Sequence, residues 1–233
     1  MTGPALPLRA VLFDAGNTLL FLDHARMAEA VGAALGVSLT GTRLAAGSRA
    51  AARSMEQGRN TDGERTAAYL EALFLEAGIP ADRLDEVRSC LARLHRERHL
   101  WSGIADDAHD ALTRLRNAGL RLGVVSNSDG RVEEALEVAG LRGYFDVVVD
   151  STLAGVEKPD PAIFRLALAT LDVPPGSALY VGDLYEVDVV GARAAGIDAV
   201  LLLPAGAPLR VGCASIHSLG ALADNLLKER LAS

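Results

Sequence analysis

The sequence predicts an α/β protein, a doubly wound parallel sheet that carries a small inserted helical domain. Three observations predict it. Short, continuous runs rich in Val and Leu recur through the second half of the chain, as in strands buried on both faces. Helical patterns separate these runs, which implies right-handed βαβ crossovers. A similar run stands alone near the start, cut off from the others by a long stretch with helical periodicity only.

That detached run, "AVLFD", is the first strand and ends in Asp14. No comparable strand follows before "LRLGVVSN". Met27, Val31 and Leu35 recur at four-residue steps and mark one helix. Leu70, Leu73, Phe74 and Ala77 follow one face of a second, which Thr61 and Glu64 open as a capping box. Leu84, Val87, Leu91 and Leu94 mark a third. The helix "ADDAHDALTRLRNAG" returns the chain to the sheet, with Gly119 as its stop. The strands "LRLGVVSN", "FDVVVDS" and "ALYVGD" then alternate with the helices "DGRVEEALEVAG", "DPAIFRLALATL" and "VDVVGARAAG". "DAVLLL" closes the series. The expected division is an α/β core over 1–20 and 102–233 and a helical cap over 21–101.

With 233 residues, half of them hydrophobic, the chain can bury one core domain and a smaller one. A net charge of −7 argues against a nucleic-acid surface, which needs a clustered basic stripe. Cys90 and Cys213 lie far apart and outside any ligand spacing, as free thiols in a reducing compartment would. The N-terminal stretch lacks a basic start, and its apolar run meets Asp14 too soon for a signal peptide. Nothing approaches the ~20 apolar residues of a membrane span. The expectation is a cytoplasmic protein with no membrane or nucleic-acid partner.

Open parallel sheets bind ligands beyond the carboxyl ends of their strands. There the sequence places Asp14 with Thr18 close behind, Ser126 and Asn127, and Asp183 followed by Asp188. The loop "GVEKPDP" adds Lys158. Carboxylates so gathered repel one another unless a cation sits between them. Oxygen-only ligation suits Mg²⁺, which takes one or two carboxylates plus substrate phosphate and water. A lysine and a serine beside that metal orient phosphoryl oxygens, and Asp14 is then placed to attack phosphorus.

Ordinary roles compete with these. A lone Asp after a strand is often a turn former, and "SNSDG" around Ser126 is good turn chemistry. Asp160 and Pro161 read as the N-cap and first residue of a helix. Lys158 is harder to explain away. The chain has 21 arginines but only two lysines, Lys158 and Lys228, so position 158 calls for a compact point charge.

Taken together, "VLFDAGNTL", "VVSNS", "GVEKPDP" and "VGDLYEVD", in that order, resemble the four motifs of the haloacid dehalogenase superfamily. The resemblance covers essentially the whole chain, and the helical interval is similar to the cap that many members insert. It implies Asp14 as nucleophile and Mg²⁺ ligand, with the Gly16 carbonyl and Asp183 completing the protein ligands. It implies that Ser126 and Lys158 bind the phosphoryl group and that Thr18 orders the first loop. Asp188 would act through metal-bound water or by holding Lys158. The implied substrate is a small phosphorylated metabolite; Thr18, Asn127 and His24 complete the candidate substrate-binding set.

Gly16 departs from that pattern. The family's phosphatases usually carry a second Asp there, which protonates the leaving group. Losing general acid help typically costs ~10²–10⁴ in rate. Alkyl phosphates should suffer most and aryl or acyl phosphates less. Three branches lack that Asp. One uses a cap lysine as a Schiff base, and this chain has no lysine before Lys158. The 2-haloacid dehalogenases carry a Tyr where "DAGNT" has none, and "GDLYEVD" keeps metal carboxylates. A Mg²⁺-dependent phosphatase is the favoured branch, with a 2-haloacid dehalogenase the less favoured alternative. A displaced acid could be Asp23 or His24 in "LDHA", although Asp23 also reads as the cap of the helix starting at His24. The alternative function is a phosphometabolite-binding protein with little turnover, since a receiver domain would have no inserted cap.

Two further signals carry less. "HRERH" puts His95 and His99 four apart, on one face of a solvated helix end, without the Glu a zinc protease needs. Arg59 or Asn60 in "EQGRNTDGE" could touch substrate or simply connect helices.

Overall fold

Ala10–Phe13 is buried at every position, as a central strand covered on both faces must be. The computed structural model describes residues 7–55, 62–204, 207 and 212–231. In chain order the elements are β1 (Ala10–Phe13), β2 (Leu20–Leu22), α1 (His24–Leu35), α2 (Gly41–Met55), α3 (Asp62–Glu76) and α4 (Leu84–Glu97). There follow β3 (Trp101–Ile104), α5 (Ala108–Asn117), β4 (Arg121–Ser126), α6 (Val132–Val138), β5 (Val147–Asp150), α7 (Ser151–Ala154) and α8 (Pro161–Leu171). The last are β6 (Ala178–Gly182), α9 (Val190–Ala194), β7 (Asp198–Leu202), β8 (Ala214–Ile216) and α10 (Leu219–Leu231).

The chain divides into two units, Met1–Phe21 with Gly103–Ser233, and Leu22–Ser102. The first is an α/β unit on a six-stranded parallel sheet of order β5-β4-β1-β6-β7-β8. From β1 the chain winds outward to β4 and β5, then crosses back to β6, β7 and β8. This reversal makes the sheet doubly wound and puts the switch point at β1. Phe13 stands opposite Val124 of β4 and Val181 of β6, so three adjacent strands end together. Leu12, Val125, Phe164, Leu171, Tyr180 and Ile197 belong to one buried cluster of this unit. Asp160 caps α8 by accepting from the Ala162 N–H at 2.8 Å, with Pro161 in its first turn, as expected.

The second unit holds α1 to α4 around Met27, Val31, Leu44, Leu73, Phe74 and Leu91. The expected faces are the buried ones: Met27, Val31 and Leu35 on α1, and Leu84, Val87, Leu91 and Leu94 on α4. Asp23 caps α1 by accepting from the Arg26 N–H at 3.0 Å. Thr61, expected to share a capping box with Glu64, and Arg59 and Asn60 lie outside the described residues.

Several elements differ from the expectation. The interval after β1 is not free of strand, because β2 and β3 pair as a two-stranded sheet. "DAVLLL" does not close the series, since β8 pairs in parallel with β7 and α10 follows. These strands are only three or four residues long, and "WSGI" and "ASI" lack the apolar run that marks a buried strand. The helix expected from "DGRVEEALEVAG" starts only at Val132. His95 and His99 do not share a helix face, for α4 ends at Glu97 and Arg98 is extended. Their rings lie 4.5 Å apart and accept from the backbone N–H groups of Leu100 and Trp101, both at 3.3 Å, so they shape the exit from the helix. Among the described residues no helix is long and apolar enough to cross a membrane.

Candidate active site

The site assembles because β1, β4 and β6 end side by side. Asp14 follows β1 directly, its N–H donating to the Val181 carbonyl at 2.8 Å, and the residue is 8 % exposed. Asp183 follows β6. Asp188 sits in a single π-helical turn, Tyr185–Val189, a local distortion that recurs at functional sites. Its Oδ2 accepts from the Leu184 N–H at 2.9 Å. Gly182 makes this possible, since a Cβ there would overlap the Asp188 carboxyl group.

Lys158 comes from the loop between α7 and α8. The residue is 2 % exposed, and its ammonium donates to Asp14 Oδ1 at 2.6 Å, Asp188 Oδ1 at 2.7 Å and the Tyr180 hydroxyl at 2.9 Å. An ammonium has three N–H bonds, and here each has an acceptor. The Asn127 amide fixes the Lys158 backbone at both ends: Nδ2 donates to the Lys158 carbonyl at 3.0 Å, and Oδ1 accepts its N–H at 2.8 Å. Asn127 thus holds the lysine loop, whereas the sequence suggested substrate contact.

Carboxylate oxygens of Asp14, Asp183 and Asp188 all lie within 4.8 Å of one another. Three carboxylates against one ammonium leave a formal excess of two negative charges (−3 + 1). The electrostatics register that excess. The Asp14 carboxyl is pushed up to about 7: burial raises it, Lys158 draws it down, and Asp188 raises it. Burial, then Asp14 and Asp188, raise Asp183 well above the usual carboxylate range. Burial alone would lower Lys158, but the two carboxylates it holds carry it above its ordinary value. A buried all-oxygen cluster short of positive charge fits a hard divalent cation.

The other expected residues are placed as follows. Ser126, 4 % exposed, ends β4 next to β1, its hydroxyl donating to the Asn127 carbonyl at a long 3.4 Å. Thr18 is completely buried, and its hydroxyl finds no partner among the described residues, so it belongs to the interior of the first loop rather than to a substrate surface. Gly16 is half-buried in that loop and bridges to Leu20. His24 belongs to the helical unit. Its Nε2 lies 3.2 Å from the Ser48 hydroxyl, and burial pushes its pKa below the usual imidazole value.

Two residues escaped the sequence reading. Asn17 adopts a left-handed φ of 54°, which Asn tolerates, and its amide donates to Asp183 Oδ2 at 3.4 Å. Tyr180, completely buried in β6, lies 3.0 Å from Asp188 Oδ1 and 3.1 Å from the Val125 carbonyl. The available signal was that a buried tyrosine hydroxyl needs a partner, and Tyr180 carries the one polar side chain of β6.

A family model described as haloacid dehalogenase-like hydrolase matches residues 8–196. The chain belongs to that family. This hydrolase is 32% identical to haloacid dehalogenase-like hydrolase domain-containing protein 3 of Bos taurus, over 84% of this chain and 82% of the relative. It is 32% identical to a ribulose-1,5-bisphosphate 5-phosphatase of Halopiger xanaduensis, over 84% of each. The match to the Xenopus laevis relative of the bovine protein spans about half that relative's length (52%). Among solved structures, a HAD-hydrolase of Bacillus subtilis bound to magnesium superposes with a TM-score of 0.71 at 23% identity, covering 95% of this chain and 99% of that one. At that identity the likeness is one of fold.

Proposed function

We propose that this hydrolase is a Mg²⁺-dependent phosphatase of small phosphorylated metabolites, working through an aspartyl-phosphate on Asp14. The observation that carries the reading is the Asp14–Lys158–Asp188 contact beside Asp183 at the end of β1. The relative named as a sugar-bisphosphate phosphatase agrees with it.

In the first step an Asp14 carboxylate oxygen attacks phosphorus. A P–O bond forms as the ester P–O bond breaks, and the electron pair leaves on the ester oxygen. In the second, water attacks phosphorus, the bond to Asp14 breaks, and inorganic phosphate leaves with the carboxylate restored. Asp14, Asp183 and the Gly16 carbonyl would hold Mg²⁺, which when bound offsets the charge of the phosphoryl oxygens. Ser126 and Lys158 orient those oxygens, with Lys158 exchanging its bond to Asp14 for one to the substrate. Asp188 retains the lysine, and Asn127 and Thr18 keep their loops in place. The helical unit takes the part of a cap that selects substrate. The free thiols Cys90 and Cys213 agree with a reducing, cytoplasmic setting.

Gly16 shapes the substrate range. The stretch from Ala15 to Leu20 contains no acid. His24 is a weak replacement, because burial favours its neutral form and a neutral imidazole is a poor proton donor. The favoured substrates are therefore those whose leaving group departs without help, aryl and acyl phosphates, or that bring their own proton. The test is hydrolysis of p-nitrophenyl phosphate against an alkyl phosphate, with and without Mg²⁺. The expected result is turnover that needs both Mg²⁺ and Asp14, an aryl preference on the order of 10²-fold or more, and a gain on the alkyl ester in Gly16→Asp. Turnover that persists in Asp14→Asn would defeat the proposal. A phosphorylated Asp14 that never releases phosphate would favour a binding protein.

A further inference from the structure

We infer that Tyr180 is a positioning residue for this site: its buried hydroxyl is the third leg of a tripod that fixes the Lys158 ammonium between Asp14 and Asp188. The inference rests on the phosphatase reading for its kinetic part and on geometry alone for the rest.

A lysine side chain has four rotatable carbon–carbon bonds, so two carboxylates by themselves leave its ammonium free to turn about the line joining them. A third acceptor removes that freedom. Tyr180 supplies it at 2.9 Å, and Tyr180 is itself immobilised. Its ring packs edge-on to Phe164, with centroids 4.9 Å apart, and the residue is completely buried in a central strand. The hydroxyl has one proton and two acceptors in reach, the Val125 carbonyl of the neighbouring strand at 3.1 Å and Asp188 Oδ1 at 3.0 Å. Either choice leaves its oxygen facing Lys158 as an acceptor. One phenol therefore ties the lysine to the sheet, within hydrogen-bond reach of Asp188. When substrate draws Lys158 away from Asp14, the Tyr180 and Asp188 legs keep the ammonium within reach of both.

The variant is Tyr180→Phe in the full chain, which removes one oxygen and keeps the ring. Its kcat on p-nitrophenyl phosphate should fall roughly tenfold, while KM and the half-saturating Mg²⁺ concentration stay within about twofold. A residue that only filled space would not split the parameters in this way. A second readout needs no turnover. Lys158 and Lys228 are the two lysines of the chain, and Lys228 is exposed. In a ¹⁵N-lysine NMR spectrum the held Lys158 ammonium should give a slowly exchanging signal that Tyr180→Phe broadens away. Unchanged kcat, or an unchanged Lys158 signal, overturns the inference. A rise in KM alone would also overturn it, by making Tyr180 a substrate contact. If the wild type shows no Mg²⁺- and Asp14-dependent turnover, the phosphatase reading fails and the spectrum alone decides the role of Tyr180. If Tyr180→Phe does not fold, the wild type still decides. A slowly exchanging Tyr180 hydroxyl proton in contact with the Lys158 side chain supports the tripod, and its absence refutes it.

Discussion

The two units of this hydrolase are buried in different currencies. The buried polar and charged residues, Asp14, Thr18, Ser126, Asp150, Ser151, Lys158, Ser177 and Asp188, all belong to the α/β unit. Among the described residues of Leu22–Ser102, the buried side chains are uncharged and, apart from Tyr69 and Cys90, apolar, and ion pairs such as Arg88 with Glu71 stay at the surface. Packing of uncharged side chains accounts for most of the interior of the helical unit. In the α/β unit it does not, because desolvating a lysine and two carboxylates costs more than filling the same space with apolar groups. The difference teaches where to look for chemistry: in the unit that accepts that cost.

Not all of its buried polar groups belong to the candidate site, and the contacts sort them. Asp150 accepts from the N–H groups of Gly130, Val132 and Thr152, which makes it a cap for two helices. Asp14, Asp183 and Asp188 meet one another instead, and Asp14 and Asp188 share a lysine.

The contrast is most exposed to failure at Lys158. Lys158→Met leaves the carboxylate cluster without its cation and should cost about 3–5 kcal/mol of stability at neutral pH, read by urea denaturation. On the proposed binding of Mg²⁺ to the folded cluster, adding it should restore part of that loss. A neutral substitution would mean that the cluster is not electrostatically coupled. In the helical unit the equivalent blow is apolar. Phe74→Ala removes a completely buried ring and should cost about 3 kcal/mol, while the Lys158 ammonium signal stays unchanged. Breaking a surface pair should matter least. Arg88→Ala loses a 2.8 Å contact with Glu71 at a half-exposed position and should shift stability by under about 1 kcal/mol, less still at high salt.

Much of this was legible from residue order. The buried parallel strands announce themselves as Val- and Leu-rich runs, and their ends name Asp14, Ser126 and Asp183. Lys158 stands out in a chain that otherwise uses arginine. What stayed hidden depends on direction rather than identity. Tyr180 reads as one more bulky strand residue until its hydroxyl is seen against Lys158 and Asp188. Asn127 looks like turn chemistry, and its bond to the Lys158 backbone joins residues 31 positions apart. The short strands β2, β3 and β8 have too few residues for a period to show, and α2, "GTRLAAGSRAAARSM", has too few large apolar side chains.

Whether Asp14 carries the phosphoryl group can be read by rapid-quench peptide mapping. Enzyme, Mg²⁺ and phosphoryl-labelled p-nitrophenyl phosphate are mixed and stopped in acid within one turnover. The expected result is label on the peptide containing Asp14, rising and decaying at rates consistent with turnover, and absent in Asp14→Asn. Phosphate release with no labelled protein, or label on another residue, would contradict it.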